Sequence, residues 1–215
     1  MTSRSRETIL KKIRKALSNK VAIPFPQTDV LVDHYAPTHQ ELELEFAENF
    51  SRLQGKFSYC IDVNELFQQL EALVAIKKWT KIFCTEPKIK TLIHKTSLAA
   101  LLTDDLQGCD VSITGCENLV SRTGSIVLTS AQYDGRNASV YAPVHICIAY
   151  QRQLVYDVET SLSSMLMKYK RNLPSLITFT TGPSRTADIE KTLVVGVHGP
   201  KEVYCFMVDE FLSRP

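Results

Sequence analysis

Residues 180–200, TTGPSRTADIEKTLVVGVHGP, decide the fold that the sequence predicts. The β-branched and aromatic residues 176–181 are typical of a buried strand, and Gly182-Pro183 predicts the turn that ends it. The apolar spacing that begins at Ala187 predicts a short helix with Thr186 as its N-cap. The chain is therefore expected to pass from a strand through a tight turn into a helix.

This turn concentrates groups that suit an anion. It offers hydroxyls, one guanidinium and the unpaired backbone N–H groups of the expected helix N-terminus. Asp188 and Glu190 suit the positive end of that helix, and Asp188 is a candidate for moving a proton. A well-capped turn that binds nothing remains an equal alternative. The candidate ligand-binding residues here are Thr181, Gly182, Pro183, Ser184, Arg185, Thr186 and Glu190.

A second glycine turn follows at residues 196–200 and leads into a strand over residues 202–208. His198 lies between two glycines of this turn, so His198 and Gly199 are further candidate ligand contacts. No G-x-G-x-x-G motif, P-loop or serine nucleophile elbow is found in the sequence.

Composition limits the classes of protein that this chain can belong to. Its 215 residues, 44% hydrophobic and 22% charged, suit one large α/β domain with a terminal extension. The net charge of +2 argues against a general nucleic-acid binder. No apolar stretch approaches the roughly 20 residues of a membrane span, and the N-terminus lacks a signal-peptide core, so a cytoplasmic protein is expected.

The six cysteines show no metal-site spacing, and no metal or other cofactor is expected. Four of them lie in apolar runs and are interpreted as small buried hydrophobes. Cys116 lies in a turn, where a nucleophile is the less favoured interpretation.

Upstream of residue 176, short apolar strands alternate with amphipathic helices. Strands are expected over residues 57–61, 81–85, 111–114, 125–130 and 144–150. Helices are expected to begin after Asp62, at Pro87 and after Asp157. This alternation predicts an α/β fold with a parallel or mixed sheet covered on both faces.

Ligands of such sheets collect at the carboxyl ends of the strands. That rule selects the turn after Thr181, the loop 115–125 and the turn 196–200. In the loop 115–125, Thr123, Gly124 and Ser125 are candidate ligand contacts, and Glu117 is a candidate general acid or base. The alternative for Glu117 is the cap of a short helix over residues 118–121.

Three other segments complete the sequence. Residues 4–18 predict an amphipathic helix with a basic face, residues 19–37 a linker, and residues 132–143 a mobile loop. A capping box at residues 38–41 opens a further helix that ends near Gly55. His145 is interpreted as a core histidine. The expected domains are residues 1–55, with helices and a linker, and residues 56–215.

Three stretches resemble the lactate-utilisation protein C family, the LUD domain. They are TGPSRTADIEKTLVVGVHGPKEVYCFMVDE, DVSITGCENLVSRTGSIVLTS and YAPVHICIAY, and the resemblance is close over residues 109–209. The resemblance implies a three-layer α/β/α sandwich with a mixed sheet, of the ribose-5-phosphate isomerase, glucosamine-6-phosphate deaminase and CoA-transferase type. It also implies a role with two iron–sulfur partner proteins in oxidising L-lactate to pyruvate in bacteria, as the subunit without clusters.

Residue by residue, the resemblance covers both turns and the middle block. The positions that match are Gly182, Pro183, Ser184, Arg185, Thr186, Asp188, Ile189, Glu190, Gly196, His198, Gly199, Pro200, Thr123, Gly124 and Ser125. Arg122 stands where family members often carry an acid, which puts acid chemistry at that position in doubt. Glu117 falls where many members have an acidic residue.

Three functions remain open from the sequence, and whether the chain is an enzyme is undecided. The first is a subunit of a lactate-oxidising system that binds a small anion or redox partners. The second is a stand-alone enzyme acting on a phosphorylated sugar or an acyl-CoA, with Asp188 or Glu117 moving a proton. The third is a binding module that uses the basic N-terminal helix.

Overall fold

A computed structural model describes residues 4–18, 40–132, 135–187 and 193–209. The helices are α1 (Arg4–Ser18), α2 (Leu42–Arg52), α3 (Val63–Lys77), α4 (Pro87–Ile93), α5 (Gly135–Tyr141) and α6 (Val158–Tyr169). The first strands are β1 (Lys56–Cys60), β2 (Ile82–Phe83), β3 (Leu102–Thr103), β4 (Val111–Thr114), β5 (Asn118–Val120) and β6 (Ser125–Thr129). The later strands are β7 (Val144–Tyr150), β8 (Leu154–Val155), β9 (Ile177–Thr180), β10 (Arg185–Ala187), β11 (Leu193–Val195) and β12 (Glu202–Val208). Short 3₁₀ turns lie at Ser97–Leu101 and Gln151–Gln153.

The described residues form a six-stranded parallel sheet in the order β1-β12-β7-β4-β2-β3. Its centre is the pair β7–β12, in which seven residues of each strand lie in register. Both strands are almost continuous apolar runs, as expected of parallel strands buried on both faces. The predicted α/β fold is therefore confirmed.

One face of this sheet packs against α3 and α4. The Asp62 side chain accepts a hydrogen bond from Glu65 N and so caps α3, while Pro87 occupies the first turn of α4, both as predicted. Leu70 of α3 and Ile93 of α4 are fully buried in the cluster that covers this face.

The other face packs against α2 and a second sheet, in the order β8-β5-β6-β9. Phe46 and Phe50 of α2 are stacked and fully buried beneath this sheet. α2 begins at Leu42 with Glu41 as its N-cap, rather than at the predicted capping box, whose first residues lie outside the described part.

The chain divides into two units, Met1–Pro37 and Thr38–Pro215, so α2 belongs with the larger unit. The expected boundary after residue 55 differs from this division because α2 supplies core side chains to the sheet. In the first unit, α1 forms as predicted, and the predicted linker lies outside the described residues. None of the described helices is both long and apolar enough to cross a membrane.

The helix predicted from Ala187 is wrong. β10 pairs antiparallel with β11, with Thr186 opposite Val194 and Ala187 opposite Leu193. Thr186 is therefore a strand residue and not an N-cap. The β-branched residues around Val194 prefer a strand, and here they outweigh the helical spacing.

Two further predictions are wrong. The expected mobile loop contains α5, whose Ala138 is buried against the sheet together with Ala142, the residue directly after the helix. The short helix that Glu117 was expected to cap is the strand β5.

In α6, which Asp157 caps as predicted, the buried face runs through Ser161 and Met165 and leaves Leu162 and Leu166 exposed.

Candidate functional site

The carboxyl-edge rule selected three loops, and the structure puts only one of them at that edge of the parallel sheet. The loop that begins at Gly115 directly follows β4. The turn 196–200 instead precedes β12, where Lys201 N donates to Pro143 O at the amino edge. Thr181 follows β9, which belongs to the second sheet. The prediction treated all strands as one sheet, which is why it selected the turn after Thr181.

The predicted hydroxyls nevertheless lie together. Thr123 Oγ1 and Ser125 Oγ are 2.7 Å apart, and Ser125 Oγ is 3.2 Å from Thr181 Oγ1. Ser125 is buried, so these three hydroxyls use much of their hydrogen-bonding capacity on one another.

The two glycine turns also meet. Ser184 N donates to Pro200 O at 3.0 Å, and Gly196 N donates to Ser184 O at 2.9 Å. A Cβ added to Gly199 would lie only 2.8 Å from Ser184 Cβ. The close contact explains a glycine at position 199 without a ligand.

Two other glycines let the chain approach α2. Gly124 has φ +60°, and a Cβ there would lie 2.5 Å from Phe50 N. Gly182 has φ +88°, and its Cβ would lie 2.4 Å from Leu53 O. Only glycine fits both the left-handed backbone and the close contact at these positions.

The Arg185 guanidinium donates from Nη2 to Leu53 O, just beyond α2. The last carbonyls of a helix lack intrahelical partners and carry partial negative charge, so a cation stabilises them. Arg185 thus makes a structural contact with the end of α2, whereas the sequence placed it beside the N-terminus of a helix. Asp188 and Glu190 lie outside the described residues, and ligand binding at this turn stays a prediction.

Beside the second turn lies a cavity of about 540 Å³ at the amino edge of the parallel sheet. Its lining includes His198, Gly199 and Lys201, together with Tyr141 of α5. His198 and Lys201 are exposed, as are Tyr141 (64%) and Val197 (56%). The surroundings therefore combine the positive charge of Lys201 with apolar surface.

Glu117 has the densest set of contacts among the predicted site residues. Its Oε1 accepts from Tyr169 Oη at 2.5 Å and from Thr129 Oγ1 at 3.1 Å, and its Oε2 accepts from Lys168 Nζ at 2.6 Å. The Glu117 side chain is 5% exposed and the Lys168 side chain 59%. A buried carboxylate thus holds a lysine that reaches solvent.

Glu86 was missed at the sequence level because it belongs to no motif. It follows β2, and its Oε1 accepts from Gly115 N at 2.7 Å. Burial raises the pKa of Glu86; the hydrogen bond from Gly115 opposes the rise, and the charge of Glu117 adds to it. Two carboxyl groups therefore lie near each other beyond two neighbouring strands.

His145 is a core histidine, as interpreted. It is fully buried, and its Nε2 lies 2.8 Å from Thr114 Oγ1. Thr114 donates its own proton to Gly115 O, so His145 Nε2 carries the ring proton. Nδ1 has no hydrogen-bond partner among the described residues, and burial lowers the pKa of His145 to about 4.

All six cysteines are buried and free. Burial raises the pKa of the Cys84 thiol to about 12, and contact with Cys147 together with burial raises that of Cys116 well above its ordinary value. Because the thiolate is the nucleophilic form, these environments favour the structural interpretation of Cys116.

Comparison with known families gives a match to the LUD domain over residues 84–208, more than half of the chain. The chain belongs to the LUD-domain family. The match includes Glu86, Glu117 and both glycine turns, whereas α2 lies outside it.

Several curated relatives are named lactate utilization protein C. The protein of Deinococcus radiodurans is 33% identical over 105 residues, that of Halalkalibacterium halodurans 35% over 111, and that of Shouchella clausii 31% over 129. These regions cover 48%, 51% and 60% of this chain and 49%, 48% and 56% of the relatives. The chain thus spans about half the length of the curated relatives it matches.

The fold is similar to that of a duf162 family protein from Deinococcus radiodurans, solved by crystallography. The TM-score is 0.60 with 18% identity, over 80% of this chain and 99% of the other. This LUD-domain chain therefore shares its fold with a structure of low sequence identity.

Proposed function

We propose that this LUD-domain protein acts in L-lactate utilisation, in the oxidation of lactate to pyruvate. The observation that carries the proposal is the LUD match over residues 84–208, together with relatives at 31–35% identity that are named lactate utilization protein C. The role of those relatives is transferred across about half of their length.

Within such a system, the protein is proposed to be the subunit without iron–sulfur clusters, working with cluster-containing partner proteins. The surroundings of the cysteines support this assignment. Cys60, Cys147 and Cys205 lie in apolar core clusters, and burial raises the pKa of Cys60 to about 11. Cluster ligation requires thiolates, which such burial disfavours.

The amino-edge cavity is proposed as the contact for a redox partner or its anionic groups. Its exposed Tyr141 and Val197 offer apolar area, Lys201 offers positive charge beside it, and His198 offers a polar ring. In this proposal the predicted ligand residues His198 and Gly199 contact the partner protein. An apolar centre with a polar rim is the usual composition of a protein interface.

Growth on lactate tests the role in metabolism. A strain that lacks the gene is expected to fail on L-lactate as sole carbon source and to grow normally on glucose, and the intact gene is expected to restore growth. Normal growth of the deletion strain on L-lactate, with no second gene of the family present, would contradict the proposal.

Co-purification tests the partner contact. Tagged wild-type protein is expected to retain iron–sulfur proteins, identified by mass spectrometry and by cluster absorbance. Lys201→Glu is expected to reduce their recovery by about tenfold, because a like charge opposes the partner's anionic groups. The matched control is Lys170→Glu, an equal charge change after α6, which should leave recovery unchanged.

The alternative is a stand-alone enzyme acting on a phosphorylated sugar or an acyl-CoA. The raised pKa of Glu86 beside Glu117 favours it, because a carboxyl group of raised pKa keeps its proton to higher pH and is a better general acid. A ligand at about 100 times its Kd should add about 2.7 kcal/mol of stability. Thermal shifts with sugar phosphates or CoA esters, and none with lactate, would favour this alternative.

A further inference from the structure

The connections of the parallel sheet reverse direction between β2 and β4. β2 leads through α4 to β3 on one side, whereas β4 leads onward to β7 on the other. At such a switch point the two connections diverge and leave a crevice beyond the carboxyl ends of the strands, where ligands of open α/β sheets bind. Glu86 follows β2, and Gly115 follows β4, at this crevice.

Glu86 spans the two sides of the crevice. Its Oε1 accepts the hydrogen bond from Gly115 N, and a Cβ added to Gly115 would lie 2.9 Å from its Oε2. The absence of a side chain at position 115 thus lets the Glu86 carboxyl group reach the end of β4. The hydrogen bond fixes one oxygen and orients the carboxyl group.

Lys168 brings a positive charge to the same region through Glu117. Its ammonium group donates to Glu117 and lies 5.0 Å from the centroid of the Tyr169 ring. An ammonium group has three donors, and the Lys168 side chain is 59% exposed, so donors remain for an anion from solvent. Burial is the largest single effect and lowers the pKa of Lys168, but the hydrogen bond and charge of Glu117, together with Tyr169, outweigh it and raise that pKa.

We propose that this switch-point crevice binds a small monocarboxylic acid that carries a hydroxyl or carbonyl oxygen beside its carboxylate. Lys168 pairs with the ligand's carboxylate, and Glu86 forms a hydrogen bond with the neighbouring oxygen. In its protonated form Glu86 donates to a carbonyl, and in its ionised form it accepts from a hydroxyl. Binding makes and breaks no covalent bond.

The charges of the crevice set this ligand class. The ammonium group of Lys168 suits one carboxylate, whereas Glu86 and Glu117 together repel a dianion such as a phosphate monoester. L-Lactate and pyruvate fit the class, and the choice of these two probes rests on the proposed function. The crevice itself would suit other 2-hydroxy and 2-oxo acids equally.

The test measures binding to the full chain by isothermal titration, with L-lactate, pyruvate, glycolate and inorganic phosphate as probes. Wild-type protein is expected to bind the organic acids and not phosphate. Lys168→Met is expected to weaken binding by at least about tenfold, the loss of one charge-assisted contact. Lys168→Arg retains the charge and is expected to bind within a few-fold of wild type.

Two matched controls locate the site. Lys170→Met removes the same charge two residues away, and Lys201→Met removes it at the amino edge; both are expected to bind as wild type does. In ¹H–¹⁵N spectra, the Gly115 amide should shift on addition of the acid, while the Gly199 amide should not. A Gly115 shift in Lys168→Arg supports the site even if Lys168→Met fails to fold.

Three outcomes overturn the inference: no organic acid binds wild type, Lys168→Met and Lys170→Met bind equally well, or only Lys201→Met loses binding. Failure of the lactate role is separate, because it is measured by growth. Binding of glycolate through Lys168 in a protein that is dispensable for growth on lactate would support the crevice and contradict that role.

Discussion

The two glycine turns and the switch-point crevice differ in how they use their residues. The turns carry the conspicuous motif, yet Gly182 and Gly199 are needed there for close contacts with Leu53 O, at the end of α2, and with Ser184. In the crevice only Glu117 belongs to a stretch that the sequence singled out, and the fold brings the titratable groups of Glu86 and Lys168 to it. A dense motif can therefore reflect what the backbone requires, while the chemistry lies in residues that only the topology unites.

Gly124→Ala should give the largest effect and tests the structural role of the glycines that approach α2, to which Gly182 of the first turn also belongs. The variant combines a strained φ of +60° with a Cβ 2.5 Å from Phe50 N. We expect a loss of about 3–5 kcal/mol in the free energy of unfolding, measured by urea titration.

The control is Gly199→Ala, which meets Ser184 Cβ at 2.8 Å but has a φ outside the left-handed region, so the variant carries the steric cost without the backbone strain. It should cost clearly less. Equal effects of the two variants would contradict the role assigned to Gly124 against α2.

Acid should destabilise the core near the end of β4 through His145. Burial lowers the pKa of His145 to about 4, from an ordinary value of 6.5. The stabilisation is complete above pH 6.5 and is lost as the pH falls towards 4, because the unfolded chain then binds a proton that the folded chain resists. The loss reaches up to about 3 kcal/mol.

Urea titrations at pH 7, 5.5 and 4 measure this loss. His145→Gln cannot take up the proton, so its free energy of unfolding should fall less steeply than that of wild type over this range. Parallel curves for the two proteins would show that His145 is not held neutral in the fold.

Glu117→Gln should destabilise the protein by about 1–3 kcal/mol, because Lys168, Tyr169 and Thr129 would lose their charged acceptor. Calorimetry at pH 7 measures the change. Glu159→Gln, at an exposed position of the same helix as Lys168, is the control and should change stability by less than about 0.5 kcal/mol. A Glu117 variant as stable as its control would weaken the case for the crevice.

Arg185→Ala should give the smallest effect, about 1 kcal/mol, through the lost hydrogen bond to Leu53 O at the end of α2. Arg185→Lys should recover part of it. The same variants decide whether the turn also binds a ligand: unchanged binding of lactate and pyruvate is expected. If Arg185→Ala abolishes that binding and leaves stability intact, the contrast between the two regions fails.

Much of the fold follows from local sequence signals. Asp62 and Asp157 cap their helices as predicted, Pro87 lies in the first turn of its helix, and β7 has the bounds that its apolar run predicts. These features depend on neighbours in sequence, so a pattern can reveal them.

Other elements depend on distant contacts. α5 has the weak helix formers Gly135, Asn137 and Ser139, but burial of Ala138 and Ala142 against the sheet, with Ser112 Oγ donating to Ala138 O, stabilises it. The alternation of strands could not show that β5, β6 and β9 form a separate sheet. The period of apolar residues identifies a strand but does not say which other strand it pairs with.

The candidate site was predictable only in part. Glu117 was selected from the loop after β4, and the structure adds its contacts with Lys168 and Tyr169, which lie about fifty residues away in the sequence. Glu86 could have been noticed only by knowing that β2 lies beside β4. Sequence reasoning thus finds candidate side chains more readily than it finds their neighbours.

The position of α2 affects how this protein can be cut for experiments. The family match begins at residue 84, but Gly124, Gly182 and Arg185 within it all make contact with the end of α2, and β1 forms one edge of the central sheet. A fragment starting at residue 84, or at residue 56, would lack Phe46 and Phe50, the buried side chains of α2 that pack beneath the second sheet. The shortest expression fragment worth making therefore starts at about Thr38, well before the recognisable domain.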